Sequence, residues 1–358
     1  MRPLARFGTN PLAGAAIALA LSALGGTLAL LAGLPAPFLV GGVFFVTVAA
    51  LAGLPIDVPG PLRNYAFVVI GMSMGSSVAR DTLNLIAQWP VTIAALVVSL
   101  IVMIYVTTQV LYRWFGFDAS TAVLAATPGH ASFIQGLAMS GLGDPAQIAV
   151  AQSIRVLFLT MVVPLVIQVA APEAIHAIEG QVQMDWITVG WLAGFCALVG
   201  WVMLRLKVPA GFIIGAMAAA TVMRLMGYTE GSVPTVLVIP SFIIMGTLIG
   251  SRFSGIRAET LRRSALGGVA LTAIAIGVSA LAALIASWFL GFPYGQIWIA
   301  LAPGGLEAMA VMGLALGYDP AFFMAHHATR LFLLGVTVPL LVAMVRRRIG
   351  RAASPETD

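Results

Sequence analysis

A chain of 358 residues that is 60% apolar and only 9% charged, with a mean hydropathy of +1.03, falls outside the class of water-soluble globules, in which about a quarter of residues are charged. Most of its surface must face hydrocarbon. The net charge of +5 then bears first on orientation across a bilayer, through the bias of Lys and Arg towards cytoplasmic loops, and nucleic acid is not an expected partner.

At the start of the chain, Arg2 and Arg6 precede an apolar run from Pro11 to Leu31. That run is longer than the usual core of a cleaved signal peptide, so it is predicted to be the first transmembrane helix. Shorter runs follow at Pro37 to Gly53 and Asn64 to Val78, then a long one near Ile93. Ala119 to Gly143 is apolar but broken at Pro128-Gly129. Asp144-Pro145 has the pattern of a helix cap with proline at the first helical position. Arg155 lies ten residues beyond Pro145, about 15 Å into the helix and so near the centre of a hydrocarbon core about 30 Å thick. The segment 171–185 holds Glu173, Glu179 and Asp185 but no Lys or Arg.

Beyond this linker the pattern begins again. Pro128-Gly129, Asp144-Pro145-Ala146, Arg155 and Pro164-Leu165 recur 175 positions later as Pro303-Gly304, Asp319-Pro320-Ala321, Arg330 and Pro339-Leu340. Gly71 and Gly75-Ser76 recur as Gly246 and Gly250-Ser251, and Pro35-Ala36 recurs as Pro209-Ala210. The chain therefore reads as a first membrane repeat over 1–170, an acidic extracytoplasmic linker over 171–185, a second membrane repeat over 186–348 and a short cytoplasmic tail over 349–358.

Charge decides how the repeats are expected to face. Six crossings per repeat would place the acidic linker on the same side as the N-terminus and the basic loop at Arg205 and Lys207 opposite. Five crossings place Arg205 and Lys207, the group Arg252, Arg257, Arg262 and Arg263, and the C-terminal arginines all on the cytoplasmic side, in keeping with the positive-inside bias. The expected fold class is thus all-α integral membrane: two inverted repeats of about five transmembrane helices, each with one Pro-Gly-broken segment that is either re-entrant or kinked.

Several residues could carry chemistry. A central arginine costs about 2.5–3.5 kcal/mol even on the lenient insertion scale, so Arg155 and Arg330 should face an interior pocket. There they could bind an anion through the guanidinium fork, or satisfy freed carbonyls of a broken helix. At the breaks, Pro128-Gly129-His130 with Ser132, and Pro303-Gly304 with Glu307, glycine permits positive φ, and the short helix that follows presents free N–H groups suited to an anion. Glu307 is the carboxylate within the broken segments and could carry a proton, bind Na⁺ or pair with an arginine. Its counterpart is Ser132, so the site cannot be fully symmetric. Adjacent His326 and His327 point about 100° apart on a helix, which does not suit one metal ion; His327 and His130 fit cavity-lining or proton-relay roles. Neither a metal nor a cofactor is expected. The single Cys196 lies in an apolar run, and spacings such as Gly71 to Gly75 suit close helix packing.

The duplicated Pro-Gly breaks, Ala126-Thr127-Pro128-Gly129 with its Ala-x-Pro-Gly pattern and its counterpart Leu301-Ala302-Pro303-Gly304, each followed by Asp-Pro and an intramembrane arginine, resemble the AbrB-type bacterial membrane protein family. Its members carry labels of ammonia monooxygenase or of a regulator of gene expression. The resemblance runs from about Pro11 to Arg348 and implies no transferable substrate or catalytic residue set. The resulting expectation is a non-enzymatic, multi-pass protein of the bacterial inner membrane with both termini cytoplasmic. It would be a secondary transporter of a small solute, an anion being the charge that the arginines suit, with H⁺ or Na⁺ as coupling ion. The alternative is a membrane-embedded regulator acting through a partner or ligand sensing; a membrane monooxygenase stands third, because the sequence offers no credible copper or iron ligand set. A homodimer stays open as the assembly.

Overall fold

The computed structural model describes residues 11–78, 89–129, 131–170 and 182–353. Within them the chain forms helices α1 (Pro11–Leu31), α2 (Pro37–Leu51), α3 (Gly60–Ser76), α4 (Trp89–Trp114), α5 (Ala119–Ala126), α6 (Ala131–Met139) and α7 (Pro145–Ala170). After the linker come α8 (Trp186–Arg205), α9 (Gly211–Leu225), α10 (Thr235–Gly250), α11 (Ala258–Leu290), α12 (Tyr294–Leu301), α13 (Leu306–Ala315) and α14 (Pro320–Ala353). Seven of these are long and apolar enough to cross a membrane. The protein is an all-α, multi-pass membrane protein.

Its outer surface has lipid as its solvent. Leu31, Ile101, Ile187, Leu266, Leu284 and Phe332 are exposed, and aromatic side chains stand out near helix ends, with Trp114 77%, Trp186 63% and Trp288 80% exposed, as expected of rings at the membrane–water boundary. Arg205 lies over the Trp201 ring at 4.7 Å, a cation–π contact suited to the same boundary.

Helix starts follow local chemistry. The Asp118 side chain accepts from the amides of Ser120 and Thr121 at the start of α5, and Asp185 accepts from those of Ile187 and Thr188 at α8. Asp144 accepts from Ala146 and Gln147, and Asp319 from Ala321. The two Asp-Pro pairs are therefore helix caps. Two non-glycine residues of matching sequence position adopt left-handed backbone, Ala36 before α2 (φ 47°) and Ala210 before α9 (φ 51°).

Helices from the two halves interleave into two bundles. One holds α1, α2, α3, α8, α9 and α10; the other holds α4 to α7 and α11 to α14. Within the first, α3 packs on α9 and α2 on α10, each pair crossing between halves. Glycine makes this approach close: a Cβ on Gly71 would lie 2.8 Å from the Ala216 Cβ, and one on Gly246 would lie 3.2 Å from the Gly42 Cα. Exchanging α1–α7 for α8–α14 maps the contact α1–α2 onto α8–α9, α4–α5 onto α11–α12 and α5–α7 onto α12–α14, while α3–α10 and α4–α11 map onto themselves.

The broken segments fold back on themselves. The Asp144 amide, after α6, donates to the Thr121 hydroxyl of α5 at 2.8 Å; that hydroxyl in turn donates to the Asp118 carboxylate. In the second half Tyr318, after α13, lies over Gly295 at the start of α12, with Cζ 2.7 Å from where a Cβ would stand. Each α5–α6 and α12–α13 pair thus starts and finishes at one place, the geometry of a hairpin and not of one kinked rod.

Candidate functional site

The hairpin tips meet α7 and α14 where a cavity of about 160 Å³ opens between the bundles. From the broken-helix bundle it is lined by Gly129, Gln152, Arg155, Val156, Gly304 to Glu307 and Leu331, and from the other bundle by Pro209, Ala210 and Arg252.

The tips are extended, not left-handed. Ala302 has φ −59° and ψ 130°, and Gly305 φ −64° and ψ 142°, whereas Gly304 is not among the positions with positive φ. The expectation that positive φ explains these glycines is therefore corrected at Gly304 and Gly305. Gly304 packs against the Met309 side chain: a Cβ there would fall 2.8 Å from Met309 Sδ, so that side chain would have to shift. Gly305 then starts α13 without a side-chain cap, so the first N–H groups of that helix lie at the cavity wall formed by Leu306 and Glu307. A helix start of this kind carries partial positive charge.

The two arginines differ in their bonding. Arg330, 2% exposed, donates through Nη1 to the Ala302 carbonyl and through Nη2 to the Gly304 carbonyl, both at 2.7 Å. It ties the second tip to α14 and is not among the cavity-lining residues. Arg155, 4% exposed, does line the cavity. Its Nη1 makes one long bond of 3.5 Å to the Ala125 carbonyl, and its Nε, like that of Arg330, is buried without a partner. Arg252 lines the same cavity, so two guanidinium groups reach it. Neither Arg155 nor Arg330 bonds a carboxylate among the described residues.

Glu307 is half-buried on the cavity wall. Its Oε2 stands 3.6 Å, and Arg252 Nη2 4.0 Å, from the point where a Cβ on Gly305 would sit. Pro128 and Pro303 are buried behind the tips. His327 is fully buried, with neither ring nitrogen in hydrogen-bond geometry to a partner, although the Ile299 carbonyl faces it. Its sequence counterpart, Gln152, lines the cavity and donates to the matching Leu124 carbonyl at 3.4 Å. His326 is held instead by the Phe322 carbonyl and the Thr92 hydroxyl. His130 lies outside the described residues, as does the side chain of Ser132. Among the described residues no three His, Cys, Asp or Glu side chains gather as a metal site would require.

The structure thus brings Gly129, Arg155, Gly304 and Glu307 to one cavity and keeps Arg330 and His327 behind its wall. Sequence reasoning missed Gln152, Arg252 and the Pro209-Ala210 turn. Gln152 was findable as the position matching His327, but Arg252 carried no such signal, since its counterpart is Ser77 and it reads as an ordinary loop charge.

A cavity built from broken helices and lined by arginine side chains, in a chain with seven helices long and apolar enough to cross a membrane, defines the class as α-helical multi-pass membrane proteins with a polar cavity. A family model, that of the transition state regulatory protein AbrB, matches residues 38–346. The chain belongs to the AbrB family. It is similar to a protein of Escherichia coli (strain K12) named "Putative regulator AbrB", with 24% identity over 87% of this chain and 90% of the relative. It is also similar to "Uncharacterized protein YhjN" of Bacillus subtilis (strain 168), with 23% identity over 90% of each.

Proposed function

We propose that the chain is an inner-membrane secondary transporter of a small anion, and not an enzyme, with its binding site in the cavity between the hairpin tips. The observation that carries this is Arg155: a buried guanidinium with one long bond, at the wall of a cavity that also receives the start of α13. An uncompensated charge at membrane depth is costly unless a ligand or water answers it. Uncapped helix starts beside a broken backbone are the usual way such sites hold anionic groups.

In this reading the ten helices other than the hairpins cross the bilayer, five in each inverted repeat. Both termini are cytoplasmic and the 171–185 linker faces outward. Glu307 carries the coupling ion, H⁺ or Na⁺. A regulatory effect of the kind that the E. coli relative's name describes follows from the same activity, since a carrier sets the concentration of the solute that it moves.

The test is uptake of labelled small carboxylates and inorganic anions into liposomes holding the purified protein. The expected result is saturable uptake of at least one, weakened about 10- to 100-fold by Arg155→Ala, the worth of a lost charge-assisted bond of about 1.5–3 kcal/mol. Wild-type protein that neither moves nor binds any anion of the panel would sink the proposal.

A further inference from the structure

We infer that Arg252 is the second guanidinium of the binding site and that, with Glu307, it sets the substrate as a small monocarboxylate; this deepens the proposed carrier function and rests on it.

Arg252 does not belong to the duplicated pattern, and its placement is built by other residues. It sits in the turn Ser251–Phe253 that follows α10. Phe253 is 2% exposed and anchors that turn among Val46, Ile56 and Ile154. Ser254 holds it from the far side, accepting from the Ile56 amide at 3.1 Å and donating to the Leu54 carbonyl at 3.4 Å. The base of Arg252 is thus fixed to the α2–α3 connection while its head reaches the cavity beside Gly305 and Glu307. Arg155 and Glu307 belong to the broken-helix bundle and Arg252 to the other, so a ligand held by both guanidinium groups bridges the seam.

The charge on the cavity wall selects the ligand. Among the described residues, Arg155, Arg252 and Glu307 are the ionisable side chains that line it, and together they leave one net positive charge. Arg330 adds its field from behind, with two of its nitrogens donating to the Ala302 and Gly304 carbonyls. One carboxylate can take the forks of Arg155 and Arg252 together and leave Glu307 unopposed by a second negative group. A dicarboxylate or a phosphate dianion brings its extra charge against Glu307, and like charges a few ångströms apart repel. Size points the same way: a cavity of about 150 Å³ holds a molecule the size of benzene, so a chain of about six heavy atoms fills the 160 Å³ present here.

The experiment measures equilibrium binding and thermal stabilisation of the full chain in detergent, at constant ionic strength, with propionate, succinate and inorganic phosphate as probes. Wild type is expected to prefer propionate. Arg252→Gln should weaken propionate about tenfold or more. Glu307→Gln should shift the preference about tenfold towards succinate and phosphate, and Arg252→Gln combined with Glu307→Gln, which restores the net wall charge, should restore the preference for propionate. Arg252→Lys keeps the charge and should keep the order of the probes while losing a few-fold in affinity, which gives a reading even where the Gln variant does not fold. The inference is overturned if Glu307→Gln leaves the order unchanged, or if Arg252→Gln binds all three probes as wild type does. Should either occur while Arg155→Ala still abolishes binding, the anion carrier stands and the charge filter falls. If no anion stabilises the wild type, both fall together.

Discussion

Arg155 and Arg330 occupy matching places in two copies of one helix, yet Arg330 makes two short carbonyl bonds and Arg155 a single long one, while the Nε of each is buried without a partner. The difference predicts opposite consequences of the same truncation. Arg330→Ala strips two charge-assisted bonds and leaves the Ala302 and Gly304 carbonyls with a donor fewer. The cost is about 2–4 kcal/mol, seen as a fall of several degrees in the unfolding midpoint in detergent. Arg155→Ala removes a buried charge held by one long bond, so it should leave stability unchanged or raise it, as removal of functional charge often does. An equal loss of stability in both variants would mean that the two arginines share one structural role. The sequence showed two arginines inside apolar helical runs, and both are buried in the fold. It left open which would bind backbone and which would face a cavity, because that turns on a shift of a few ångströms between the tips and α7 or α14.

At the scale of helices, pattern was most legible where the physics is local. Proline after aspartate started α7 and α14, and long apolar runs became spans. The hairpin form of the broken segments was one of two alternatives in the sequence, since composition cannot tell a kink from a reversal; the Asp144–Thr121 bond and the Tyr318–Gly295 contact are tertiary. Pairing of α3 with α9 and α2 with α10 was likewise hidden, although the small residues that permit it were visible. Those glycines divide into two kinds. A side chain at Gly71 meets Ala216 Cβ at 2.8 Å and the Met217 amide at 3.0 Å, whereas one at Gly190 in α8 meets nothing within 4 Å. Gly71→Val is therefore expected to destabilise by about 1–3 kcal/mol or more through overpacking, and Gly190→Ala to be neutral or stabilising by up to about 1 kcal/mol through helix propensity. Parallel thermal melts of the two variants check this, and a silent Gly71→Val would mean that the helices do not meet as described.

At the scale of the whole molecule, the cavity lies to one side of the relation that exchanges the halves. Gly129, Gly304, Val156 and Leu331 all line it, and each maps onto another member of that set; Pro209, Ala210 and Arg252 map onto Pro35, Ala36 and Ser77, which do not line it. A carrier that exposes its site alternately to two sides needs two arrangements of similar energy, and a duplicated chain supplies them when its halves exchange conformations. In the second arrangement Ala36 would gain the exposure that Ala210 has here and lose it when Ala210 regains it. Ala36 is 6% exposed and Ala210 half-buried at the cavity wall. The native Cys196 is buried with 0% exposure, so single cysteines at these positions can be followed with a membrane-impermeant thiol reagent. Ala210→Cys should label from one face and Ala36→Cys from the other. A transported anion should change the two rates in opposite directions, because a ligand shifts such an equilibrium only by binding one arrangement better. Labelling of both cysteines from the same face, or rates that rise and fall together, would show that the duplicated halves do not exchange roles.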